Sequence, residues 1–219
     1  MSHLVGVSAP DGTSVRRRNP RGEGDRLRQE LLAAATASVE RRGSRHLTLR
    51  GLARQVGVTA PSVYLHFPGL DHLLAAIVEQ GFQDLTQETN AAARAATDPA
   101  DELRIRCRAY CHFALRHARL YQLMFQDDLP LALRDDPENT PGRRSFDNLV
   151  AAVRQCIESG LAPACDDPFR LASLIWTAEH GLVMARMSRP GFPWAPMDDL
   201  VDEMVTRMMA LRPGGHGRL

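Results

Sequence analysis

Apolar residues recur along this chain at steps of three and four, and no run of strict alternation competes, so the pattern predicts helices and no strands. From Asp25 onward Leu27, Leu31, Ala35 and Val39 form one stripe, which reads as a first helix ending near Gly43. Thr48 precedes Leu49, Leu52, Ala53 and Val56 in the position of an N-cap, and Gly57 supplies a left-handed stop. The second helix is therefore short, about 48–55. Thr59 is placed to cap a third segment, Pro61 sits in its first turn where a missing N–H costs nothing, and Pro68 closes it. That segment spans about 60–66.

Beyond Pro68, Leu70, Leu73, Leu74, Ile77, Val78, Phe82 and Leu85 keep helical spacing through a long connector that reaches the mid-nineties. Asp98-Pro99, Thr140-Pro141 and Asp167-Pro168 each put a capping side chain directly before proline, the favoured order at a helix start. Helices are expected from these points to about Arg116, Glu158 and Met187. A short helix at about His117–Gln126 precedes a polar loop, Asp127 to Asn139. In the last helix, about 196–211, Met197, Val201, Met204, Met208 and Leu211 alternate steps of four and three, the spacing of a seam between helices. Spacing alone leaves that seam open between internal core and a contact with a second copy.

At 219 residues and 44% hydrophobic, the chain can bury one sizeable core, or a core with a small satellite module. Its apolar runs fall far short of the ~20 residues needed to cross a bilayer, and Met1 to Pro20 lacks a signal-peptide segment, so a cytoplasmic protein with no membrane partner is expected. The net charge of +1 hides an asymmetry. Residues 1–66 carry 11 arginines against 5 acids, and residues 67–219 carry 16 against 21. A basic head on an acidic body suits an end that faces a polyanion. Residues 1–24, rich in Gly, Pro, Ser and Arg, read as a flexible tail, and Arg16, Arg17, Arg18 and Arg21 have the composition of an arm that enters a minor groove. Cys107, Cys111, Cys156 and Cys165 form neither CxxC pairs nor a dense framework and are expected to be free thiols. Cys107 and Cys111 share a helix face and read as core, since no ligand set completes a metal site in the sequence.

The second helix, the turn at Gly57 and the third helix make a helix-turn-helix. The stretch TLRGLARQVGVTAPSVYLHFPGLDHLL, within about fifty residues from Arg26 to Leu74, resembles the N-terminal domain of the TetR family of bacterial repressors. The matching features are Thr48, the Val56-Gly57-Val58-Thr59 turn and Tyr64-Leu65-His66-Phe67. The resemblance implies an all-α chain with residues 25–69 as a three-helix DNA-binding domain and 70–219 as a larger helical bundle for dimerisation and ligand sensing. It further implies a homodimer through the last two helices, operator DNA as partner, and a small apolar effector. Thr48, Tyr64 and His66 would then contact phosphates, while Thr59, Ala60, Pro61 and Ser62 approach base edges. No arginine lies on the third helix, so guanine readout falls to Arg50, or to Arg45 just before the second helix. One departure is Leu70, where the family carries a phosphate-binding lysine.

Farther on, Trp176, His180 and Gly181 in IWTAEHGLVMA resemble the Trp-x3-His-Gly signature of the WHG-type C-terminal domain, as does the segment from Tyr110 to Phe125. Two readings fit Trp176 and His180: packing residues with the imidazole hydrogen-bonded inside the body, or ligand contacts. If a pocket exists, Tyr110, Phe113, Met124, Phe125, Trp176 and His180 are its lining candidates. The rival function is a small-molecule-binding or catalytic helical protein with a vestigial helix-turn-helix. No nucleophile-base-acid arrangement, HExxH, phosphate loop or cofactor motif is visible, and Ser44-Arg45-His46 is the nearest approach to one. An enzyme is therefore not expected.

Overall fold

The computed structural model describes residues 23–125, 142–164 and 167–211, and among them there are only helices and connecting turns. In order these are α1 (Glu23–Arg42), a 3-10 turn at Ser44–His46, α2 (Leu49–Val56), α3 (Ala60–Tyr64), α4 (Leu70–Ala93), α5 (Pro99–Arg116), α6 (Ala118–Met124), α7 (Arg143–Glu158), α8 (Pro168–Ser188) and α9 (Met197–Met208). The arginine-rich N-terminal tail, Cys165, the Asp127–Asn139 loop and the Thr140-Pro141 start lie outside the described residues.

Most local signals act as their chemistry predicts. The Thr48 hydroxyl accepts the Gly51 N–H at 3.0 Å, and Gly57 ends α2 at φ 77°, a left-handed turn that a Cβ would strain. Asp98 accepts two backbone N–H groups, of Ala100 and Asp101, each at 2.8 Å, and Asp167 accepts that of Arg170. Thr59 differs. Its hydroxyl makes no cap bond and pairs instead with the Ser62 hydroxyl at 2.8 Å. α3 is also shorter than its sequence suggests and stops at Tyr64, leaving His66 in the following turn.

α1, α2 and α3 close over a small core in which Leu31, Val39, Leu52, Val63 and Phe67 are almost wholly buried. Side chains of this kind each contribute roughly 1.5–3 kcal/mol by leaving water. α4 packs on α1 at one side and on α5, α6 and α7 at the other, and so joins this head to the body. A Cβ at Gly81 would fall 2.9 Å from Met124 Sδ, so glycine permits the close approach of α4 to α6.

α9 lies on α5 and α8. Arg108 on α5 makes a forked ion pair with Asp202, and His112 meets Asp198 at 2.6 Å. These contacts turn the α9 seam inward. Met197, Val201 and Leu211 are buried within their own chain, Met204 is half-buried, and Met208 alone of the five is exposed. The spacing therefore marks mainly internal core. The exposed apolar stripe is on α8, where Leu174, Gly181 and Met184 lie along one face with Thr177.

Candidate functional site

One end of the head presents the residues that the helix-turn-helix motif singles out. Thr48, Arg50, Thr59, Pro61 and Tyr64 are exposed, while Ala60, Ser62 and His66 are half-buried. Val63, between them in sequence, is fully buried and anchors α3 to the head's core. The result is a short helix with its hydrophobic side fixed and its polar side open. Arg50 and Tyr64 have no hydrogen-bond partner among the described residues, so their donors are free for a ligand. The Thr59–Ser62 pair leaves each hydroxyl with acceptor capacity at the start of α3. Tyr64 is 47% exposed and Leu65 is 78% exposed, a large apolar surface to leave in water unless something covers it.

Beside Thr48 lies a cleft of about 540 Å³ lined by Ser38, Arg41, Arg42, His46, Leu47, Thr48, Gly51, Leu52, Arg54 and Gln55. Three of these residues are arginines and none is acidic. Sequence spacing does not reveal it, because Arg41 and Arg42 end one helix and Arg54 ends the next.

In the body the structure brings Tyr110, Phe125, Trp176 and His180 together around Tyr121, which lies in the resembling segment from Tyr110 to Phe125 but is not among the lining candidates. The Trp176 indole N–H donates to the Tyr110 hydroxyl at 3.2 Å, the Tyr110 and Tyr121 hydroxyls lie 2.6 Å apart, and the Tyr121 hydroxyl is 2.7 Å from His180 Nδ1. Indole only donates, so the first bond runs from Trp176 to Tyr110; a hydroxyl carries one donor and two acceptor sites, and the other two bonds take their sense from the hydroxyl rotors and the His180 tautomer. Burial lowers the His180 pKa, which favours the neutral ring. Burial also raises both tyrosine pKa values, so the hydroxyls remain protonated. Phe125 packs edge-on to His180 at 4.8 Å and lies 6.1 Å from Trp176, ring centre to ring centre. Phe113 and Met124 are buried elsewhere: Phe113 stacks against His117, and Met124 faces Gly81.

Glu179, one residue before His180, is only 2% exposed, and its Oε1 has no hydrogen-bond partner. Burial pushes its pKa up to about 8, partly offset by a hydrogen bond from the Cys107 thiol. The carboxyl is thus a neutral acid inside the body. Its signal in the sequence is a lone acid in the apolar run IWTAEHGLVMA. Cys107, Cys111 and Cys156 are buried free thiols with pKa values raised first by burial, which supports the core reading. Among the described residues no three metal-ligating side chains converge, and no helix is long and apolar enough to cross a membrane.

Comparison with known proteins adds to this geometry. A family model described as "Bacterial regulatory proteins, tetR family" matches residues 31–77, and one described as "Tetracyclin repressor-like, C-terminal domain" matches 103–211, the segment that contains Trp176, His180 and Gly181. An uncharacterized HTH-type transcriptional regulator of Mycobacterium tuberculosis is 30% identical over 186 residues, covering 84% of this chain and 78% of that protein. A solved structure of a protein of unknown function from Rhodococcus sp. RHA1 superposes with a TM-score of 0.71 at 28% identity, covering 84% of this chain and 94% of that one. The structure of a SmeT–triclosan complex shares the fold, with a TM-score of 0.61 at 22% identity over 83% of this chain and 90% of its own.

Proposed function

The chain belongs to the TetR family of DNA-binding transcriptional regulators, and from that membership we propose that it is a homodimeric repressor released from a near-palindromic operator by a small, largely apolar molecule. The observation that carries this reading is the open polar side of α3 beside the N-terminus of α2, held rigid by buried Val63, Leu52 and Phe67. Thr48, Tyr64 and His66 hold DNA phosphates, and Thr59, Ala60, Pro61 and Ser62 meet base edges. Arg50 supplies the planar guanidinium that α3 lacks, and its readout of a guanine is worth about 1–3 kcal/mol. Two such heads must reach successive major grooves, about 34–36 Å apart.

The exposed α8 stripe supports the dimer, and Met208 on α9 is exposed as well. In the body, Tyr110, Phe125, Trp176 and His180 form a mostly apolar cluster around a few polar atoms, the character of a small-molecule site. SmeT, which has this fold, is seen with triclosan. A ligand that binds better when α4 is tilted shifts the spacing of the heads by its differential affinity. This reading puts the protein in the bacterial cytoplasm, with the chromosome.

Genome-wide selection of fragments by the purified protein, beside Tyr64→Ala, tests it. The expected result is a near-palindromic motif that vanishes with the variant while the dimer persists. A folded dimer that retains no DNA at low salt sinks the reading.

A further inference from the structure

We infer that the cleft between the end of α1 and the flank of α2 is a second DNA-backbone grip, in which Arg41, Arg42 and Arg54 hold phosphates outside the helix-turn-helix contacts. The inference rests on the reading of the chain as a DNA-binding protein and extends its footprint to residues that no helix-turn-helix role covers.

The cleft is large, about 540 Å³, and open to solvent beside Thr48, so it is continuous with the proposed phosphate-contacting end of α2. Arg41, Arg42 and Arg54 are exposed and make no ion pair among the described residues. No carboxylate lines the cleft. The acid nearest in sequence, Glu40, is turned away: its Oε1 meets Nδ1 of His117, the residue before α6, at 2.5 Å. Arg119, also from α6, donates to the carbonyl oxygens of Glu40 and Arg41, which quiets the negative end of α1 beside the cleft. The positive end of α2 lies at the same place, with Thr48 and Gly51 in the lining.

A concave surface with three unpaired guanidinium groups is costly in self-repulsion and fits a polyanion. The duplex backbone is the occupant these observations favour, because it offers several phosphates in a row to several cations in a row. Arginine suits the role, since its forked donors match phosphate oxygens in pairs. Gln55 closes the floor by donating to the Ala34 carbonyl at 3.3 Å, which ties α2 to α1 and keeps the cleft walls in register.

The test measures the salt dependence of binding to a duplex carrying the sequence that the wild-type protein selects. Compared are the wild type, the triple variant Arg41→Gln, Arg42→Gln, Arg54→Gln, and the same three positions changed to Lys. Every phosphate that is no longer neutralised makes the slope of log K against log salt shallower by about 0.9, so the Gln variant, which changes three arginines in each of two heads, should be shallower by roughly two to five. Its selected motif should stay unchanged, and the Lys variant should recover most of the slope. The exposed, unpartnered positions predict unaltered helicity and melting in both variants.

An unchanged slope in the folded Gln variant overturns the inference, as does an altered motif, which would mean base contact. Titration with inorganic phosphate supplies a further arm: phosphate binding abolished in the Gln variant, with an unchanged DNA slope, assigns the cleft to a free anion and also overturns it. A wild-type protein that retains no duplex instead removes the reading on which the inference rests.

Discussion

His117 Nδ1 lies 2.5 Å from Glu40 Oε1, so the residue that precedes α6 holds the last turn of α1. Four residues on, Tyr121 joins the hydrogen-bonded chain to Tyr110 and His180, and its own N–H donates to the His117 carbonyl at 2.8 Å. One turn of helix therefore connects the body's buried polar chain to the base of the DNA-binding head. Removing either partner should cost about 1 kcal/mol, the net worth of such a bond. Urea denaturation of Glu40→Ala, His117→Ala and the double variant checks this. Additive losses in that cycle would show that the two side chains are not coupled.

Glu179 makes stability depend on pH in a direction opposite to most carboxylates. Burial raises its pKa from 4.5 to about 8, so between these values the folded chain holds a proton that the unfolded chain has released. Stability contributed by the neutral acid is complete below pH 4.5 and falls as pH rises to about 8, by about 1.4 kcal/mol per pH unit for one proton. Glu179→Gln keeps the size and removes the titration. The variant should gain on the wild type steadily from about pH 5 to about pH 8 in paired denaturation curves. Curves that run parallel across that range would falsify the assignment.

The α8 stripe should govern assembly without governing the fold of the subunit. Leu174 is 52% exposed, Met184 is 38% exposed, and the space around Gly181 is open. A charge at Leu174 or Met184, or a leucine at Gly181, faces solvent in the single chain and, on the proposed interface, should meet a neighbour in the dimer. Leu174→Glu with Met184→Glu should sediment as a monomer with unchanged helicity and bind the palindromic duplex at least about tenfold more weakly, since both half-sites then have to be engaged separately. A dimer that survives the double change places its interface elsewhere.

What can be read without a structure is set by distances of four residues or fewer. Thr48, Gly57, Asp98 and Asp167 each act on a backbone group within one turn, and each is found in that role. Thr59 shows the limit of the same logic. A hydroxyl three residues away competes with the backbone N–H, and the pair forms instead. His66 falls outside α3, which stops at Tyr64 ahead of Pro68, a residue that disfavours helical backbone just before it.

The body is less legible. The sequence offers Tyr110, Phe113, Met124, Phe125, Trp176 and His180 as one set, yet Phe113 and Met124 fall outside the cluster, and Tyr121, which joins the other four, is not in the set because its partners are 11 and 59 residues away. The proximity of Glu179 to Cys107 is likewise a product of α8 meeting α5. Cys107 and Cys111 read as core on their own helix, and the acid beside them comes from another.

By itself, the sequence determined that this chain is helical, where most of its helices start and stop, and which segment is the helix-turn-helix, since periodicity and capping are properties of adjacent turns. Tertiary structure decided what each apolar face meets. It turned Met197 and Val201 of α9 and Leu211 beyond it inward, left the α8 stripe open, assembled three arginines from two helices into one cleft, and enclosed a carboxyl where no water reaches it. A period of about 3.6 specifies that a face exists but not which surface covers it, and burial and electrostatics follow from that cover.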